Sequence, residues 1–133
     1  MRTWFLGLVL ALGLAGGAFA QDSEIKGVIS DQIEAFKADD FEQAFTFAAP
    51  SIRQIFRTPE NFGTMVRRGF PMVWRPADVT FLELRDQAGV LIQTVRIKDS
   101  EGATHLLAYS MTQAEGEWKI SGVQILEAAD LTA

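Results

Sequence analysis

The side chains in this sequence whose types could do chemistry are few. Abstraction of a proton next to a carbonyl needs a carboxylate base in an apolar pocket and a hydroxyl donor for the enolate. Asp39 and Asp40 are adjacent carboxylates, and Tyr109, the single tyrosine, is a possible donor. Two neighbouring acids at a helix start are more commonly a solvated cap, and Tyr109 reads onto the sheet face away from the helices. No residue is therefore assigned as catalytic.

The one histidine, His105, has Arg96 as its expected cross-strand neighbour. That cation repels a metal ion, so His105 reads as packing and no metal site is assigned. Ser110 and Ser121 lack the strand-turn-helix context of an activated nucleophile. No Gly-rich phosphate loop or nucleotide fingerprint occurs, and no cofactor is expected. The chain has no cysteine, which excludes thiolate chemistry and Cys-ligated metals.

Arg67, Arg68, Trp74 and Arg75 form the most suggestive group. Guanidinium groups beside an indole can hold a carboxylate or a planar anion, and these four are the candidate ligand-binding residues at a pocket mouth. The competing reading makes Arg67 and Arg68 ordinary surface residues and Trp74 a plug.

The elements that position these residues follow from composition and periodicity. With 48% hydrophobic and 22% charged residues among 133, the chain matches a globular domain of ordinary size. A formal charge of −5 repels phosphate backbones and anionic lipid surfaces, so neither nucleic acid nor membrane is an expected partner. Met1 to Ala20 reads as a signal peptide. Arg2 precedes an uncharged run from Trp4 to Ala15, and Ala18-Phe19-Ala20 is a small-x-small cleavage pattern. The expected address of residues 21–133 is periplasmic or secreted, off the membrane after cleavage, as a single α+β domain.

Ser23 to Ala38 has apolar residues at helical spacing (Ile25, Val28, Ile29, Ile33, Phe36), with Ser23 as the expected N-cap. A shorter helix carries Phe41, Ala44, Phe45 and Ala48 and stops at Pro50. Ser51 is expected to cap a brief turn. Thr58-Pro59-Glu60 is a strong helix start, and that helix ends near Gly69. Phe70 to Pro76 reads as an extended connector. Four strands follow, Val79–Arg85, Val90–Lys98, Thr104–Thr112 and Trp118–Leu126, joined by turns short enough to require an antiparallel meander.

Two-residue turns at Ser100-Glu101 and Glu115-Gly116 would align Val95 with Leu106, and Ala108 with Val123. Val95, Ile97, Leu106, Ala108, Val123 and Ile125 would then lie beneath the helices. The opposite face would carry Leu107, Tyr109, Met111, Trp118 and Ile120. So much contiguous apolar surface is rare on a monomer, which makes these five the expected interface of a homodimer.

Phe36-Lys-Ala-Asp-Asp, Ala44-Phe-Thr-Phe-Ala-Ala-Pro50-Ser-Ile52 and Phe56-Arg-Thr-Pro-Glu-Asn-Phe62 are distinctive strings. With Met65-Val-Arg-Arg-Gly-Phe-Pro71, Tyr109-Ser-Met111 and Trp118-Lys-Ile-Ser-Gly122, they resemble the secreted bacterial domain-of-unknown-function family numbered 4864. That family is similar in pattern to the nuclear-transport-factor-2-like superfamily, which includes ketosteroid isomerase. The resemblance implies a cone in which helices pack on a curved antiparallel sheet, often with a pocket and a sheet-face dimer. It brings no established activity. The expected function is a non-enzymatic module binding a small apolar or anionic molecule, or a partner. The alternatives are a lyase- or isomerase-type enzyme acting on a hydrophobic substrate, and a structural or inhibitory module with a filled cone.

Overall fold

A computed structural model describes residues 2–127, with side chains from Ala20 onward. Five helices precede four strands, so the α+β plan read from the periodicity holds. Helix α1 (Arg2–Lys37) buries Ile25, Ile29, Ile33 and Phe36 along one stripe, with Val28 half-buried beside it. Ser23 is not a cap, because the helix runs through it. The expected cleavage point between Ala20 and Gln21 also lies within α1. The side chains of the expected signal peptide before Ala20 lie outside the described residues.

Asp39 takes a left-handed conformation (φ 57) and ends α1. Asp40 caps α2 (Phe41–Thr46), its carboxylate accepting from the Gln43 N–H at 3.1 Å. Pro50 begins α3 (Pro50–Phe56) as its first residue, so Ser51 is not the cap. Thr58 caps α4 (Pro59–Gly69) as its sequence requires, accepting from the Asn61 N–H at 3.1 Å. The expected extended connector instead contains a short helix, α5 (Pro71–Trp74). Pro71 occupies its first turn, where a missing N–H costs nothing.

The sheet is an antiparallel meander in the order β1 (Pro76–Gln87), β2 (Val90–Asp99), β3 (Thr104–Ala114), β4 (Glu117–Leu126). Its register departs from the expectation twice. The β2–β3 connection uses three residues, Ser100 to Gly102, with Gly102 at φ 89. The Asp99 carboxylate accepts from the Glu101 and Ala103 N–H groups, both at 2.9 Å, and thereby fixes this wider turn. Val95 consequently pairs with Leu107 and Ile97 with His105. The Glu115-Gly116 turn is the expected two-residue one. However, an extra residue on β4, Ser121, shifts the ladder so that Ala108 pairs with Gln124.

Because side chains alternate, each one-residue shift exchanges faces. Val95, Ile97, Val123 and Ile125 face the helices as expected. Leu107, Tyr109, Met111 and Ile120 join them and are buried at 3% exposure or less, while Trp118 packs half-buried against the same core. The five residues expected to form a dimer interface are therefore core or its margin, and Leu106 turns to the other side. Large exposed apolar residues among the described ones are Ile55, Leu82 and Val90, on separate elements. Four of the five residues on which the homodimer expectation rested are thus buried within the domain. The chain after α2 closes onto β4 through the Ala49 N–H to Ile120 carbonyl (2.8 Å) and Ile120 N–H to Phe47 carbonyl (2.9 Å) bonds.

Candidate functional site

The helix-facing side of the sheet does not fill completely. A cavity of about 270 Å³ lies between α1, α3, α4, α5 and the β3–β4 half of the sheet. Gln32 and Phe36 of α1 form one wall, and Ile52 and Phe56 of α3 the facing one. Phe62 is the rigid corner. Its ring lies 5.8 Å from Phe36, 5.2 Å from Phe45 and 5.9 Å from Phe56, spacings at which aromatic pairs attract. The sheet side is made by Tyr109 and the stretch from Ile120 to Val123 around the bulge. Small residues, Ala48 and Gly122, leave the space open. Ile52, Phe56, Met65 and Phe70 are half-buried and form its apolar rim.

No carboxylate, guanidinium, ammonium or imidazole side chain lines this cavity. Its polar side chains are Gln32, Ser121 and Tyr109. The Gln32 amide nitrogen donates to the Ala44 carbonyl at 3.2 Å, and the Ser121 hydroxyl donates to the Ser110 carbonyl at 3.1 Å. Tyr109 differs from both. It is fully buried, and its hydroxyl has no hydrogen-bond partner. Burial pushes its phenol well above the ordinary value, so the group stays protonated.

The four residues expected at the pocket mouth lie elsewhere. Arg75 reaches back across the end of α1. One guanidinium nitrogen donates to the Phe36 carbonyl at 3.1 Å, and the other to both Asp39 carboxylate oxygens at 2.9 and 3.1 Å. The Trp74 indole N–H donates to the same carboxylate at 2.9 Å, and the guanidinium stacks 4.2 Å from the indole. The indole bond first, and then the guanidinium bonds, hold the Asp39 carboxyl below its usual range. Trp74 and Arg75 therefore form a latch that finishes α1, satisfying carbonyls a helix end leaves open. Arg67 lies 4.9 Å over the half-buried Phe41 ring, and Arg68 is exposed on the same turn of α4. The arginines do not converge on the cavity.

His105 also changes neighbours. The wider turn places it opposite Ile97 rather than Arg96, and its Nε2 lies 2.8 Å from an Asp99 carboxylate oxygen. That contact, reinforced by the Ala103 N–H, holds the Asp99 carboxyl below its usual range. No group of three or more His, Cys, Asp or Glu positioned for a metal occurs among the described residues. Among them, too, no helix is long and apolar enough to cross a membrane.

The cavity left one trace in the sequence. Gln32 falls on the apolar stripe of α1, three and four residues from Ile29 and Phe36, where a polar residue contradicts the helical pattern.

A model of a family described as a domain of unknown function (DUF4864) matches residues 18–133. No curated protein matches the chain.

Proposed function

The chain belongs to the DUF4864 family, and on that footing we propose that it is a non-enzymatic module binding a small, largely apolar molecule in the cavity beneath α3, α4 and α5. The observation that carries this reading is a lined, uncharged cavity bordered by a fully buried tyrosine whose hydroxyl has no partner. A protein interior normally closes such space and pairs such a group. The unfilled space makes sense where a ligand occupies it.

Two of the earlier alternatives lose support. An anionic ligand would need a cation in the cavity, and no arginine lines it; Arg75 is bonded to Asp39 and Arg67 lies over Phe41. An isomerase would need a carboxylate base there, and Asp39 instead accepts from Trp74 and Arg75. The proposed location is periplasmic or secreted, from the leader pattern of Met1 to Ala20.

Native mass spectrometry of the protein isolated gently after export tests this reading. The expected species carries a small molecule lost on denaturation. Ile52→Trp, which places an indole across the rim, should give the same fold without the added mass. A wild-type species free of ligand, together with no binding of small apolar molecules added in excess, would overturn it.

A further inference from the structure

We infer that α3 is a hinged lid over the cavity, and that an apolar ligand enters and leaves by its displacement. This deepens the binding reading above and rests on it.

The walls of the cavity are unequal. Helix α1 contributes Phe36, α4 Phe62 and Val66, and the sheet Tyr109 and Ile120, every one buried at 5% exposure or less. Helix α3 contributes Ile52 and Phe56, both only half-buried, and none of its seven residues is buried. Its outward residues Ser51, Gln54 and Ile55 are exposed. No α3 side chain makes a hydrogen bond or ion pair with another described residue, the Arg53 Nε included. What holds the helix is the packing of Ile52 and of the Phe56 ring, which meets Phe62 edge-on at 5.9 Å and 64°. An element with so few buried contacts opens at a fraction of the free energy of global unfolding. Moving any other wall would expose buried core.

Both ends of α3 are built as hinges. Before it, the Ala49 N–H to Ile120 carbonyl bond of 2.8 Å holds the chain on β4, beside a parallel bridge from Ala48 to Ile120. Pro50 follows with no N–H to lose. After the helix, Arg57 sits at φ 71 and ψ −43, and the Thr58 N–H donates to the Phe56 carbonyl at 2.8 Å. A bond spanning one residue at these angles makes a γ-turn of the rare, strained kind. Thr58 is the cap of α4, so the strain lies where a firmly packed helix joins a loosely held one. Relaxing Arg57 releases it, which makes α3 easier to lift.

The test is residue-resolved hydrogen exchange on the exported protein, alone and with naphthalene or 1-octene as probe. The Ile52 and Arg53 N–H groups share the Ala49 carbonyl, and the Arg57 N–H donates to the Arg53 carbonyl. These three amides should exchange through an opening whose rate low urea does not change, because it exposes little surface. The Ala49 and Ile120 amides just outside the hinge should require global unfolding. Either probe should shift the Val66 and Val73 methyls and slow the three α3 amides. Arg57→Gly, whose residue takes positive φ without strain, should slow α3 opening and probe release alike, by about three- to tenfold. Exchange of the α3 amides only together with Ile120 would overturn the lid. So would probe release unchanged in Arg57→Gly, and an α3 that opens there as fast as in wild type would overturn the strained hinge. Each of these results leaves the cavity reading intact where a probe binds. Failure of both probes to move a lining methyl would instead overturn the binding reading, and the lid with it.

Discussion

Replacing Tyr109 with Phe removes one oxygen from the middle of the core and keeps the ring, so its packing is unchanged to first order. In most proteins a buried tyrosine hydroxyl has a partner, and its loss destabilises. Here the hydroxyl has none, and the folded state carries its desolvation uncompensated. Burying a hydroxyl without a hydrogen bond costs about 1–3 kcal/mol on the scale of protein substitutions. Some of that is recovered by relaxation, so Tyr109→Phe should stabilise the ligand-free protein by about 1–2 kcal/mol. For a domain of this length, each kcal/mol raises Tm by roughly 3–6 °C.

The assay is urea unfolding of ligand-free protein, with stability read from the midpoint at unchanged slope. The alkaline limb gives an independent check. A phenol titrating near 10 when unfolded but raised when folded contributes stability that is intact below pH 10. That contribution falls as pH rises above it. The wild type should weaken there more steeply than Tyr109→Phe. A variant less stable than wild type by 1 kcal/mol or more would mean that the oxygen is satisfied in the folded protein, and the reasoning would fail.

Asp39 and Asp99 both have carboxyls held below the ordinary value of 3.8. Their stabilising contribution is present above that value and disappears as pH falls through the lower folded value. The double variant Asp39→Asn, Asp99→Asn should therefore lose less stability than wild type between pH 5 and 2, measured by acid unfolding. Gly63→Ala should destabilise by about 1 kcal/mol net, because the new Cβ would sit 2.7 Å from a Phe41 ring carbon and overpacking outweighs the gain in helix propensity. Gly27→Ala, with open space around its Cβ, should stabilise by up to about 1 kcal/mol. Unfolding midpoints of the two variants moving the same way would contradict the packing around α4.

What the sequence revealed about the fold was local. Thr58-Pro59, Asp40 and the Glu115-Gly116 turn each act through bonds within a few residues, and each lies where its chemistry requires. The faces of the sheet were not local. They depended on whether Asp99 would accept two N–H groups and so fix a three-residue turn, and on one extra residue at Ser121. Gly102 at the third loop position was a readable sign of the wider turn. The bulge had no comparable sign, and it set Val123 and Ile125 opposite Tyr109 and Leu107, on the side of the sheet that the wider turn had already given to Met111 and Ile120. The arginine cluster was misplaced for a related reason. Arg75 lies 36 residues from Asp39 in sequence, and only the packed fold shows that a charge near a pocket is committed to ending a helix.

Tyr109 is not the only buried polar group with an unpaired atom, and the contrast with Gln93 separates a structural role from a functional one. The two residues pair across β2 and β3, both are fully buried, and both carry an oxygen without a partner. Gln93, however, uses its amide nitrogen to donate to the Leu82, Glu83 and Thr94 carbonyls at 3.1, 3.3 and 2.9 Å. These bonds hold the irregular stretch of β1, where the ladder slips between Phe81 and Leu84. One oxygen left over is a tolerable cost when the two amide hydrogens are shared among three carbonyls. Tyr109 performs no such service, since its hydroxyl is its only polar side-chain group and makes no hydrogen bond. Gln93→Met, which keeps length and apolar volume, should therefore destabilise by about 1–2 kcal/mol through carbonyls that lose their donor. The same urea assay should move Tyr109→Phe in the opposite direction. If both variants shift the midpoint alike, the two orphan oxygens are equivalent, and the contrast drawn between Gln93 and Tyr109 fails.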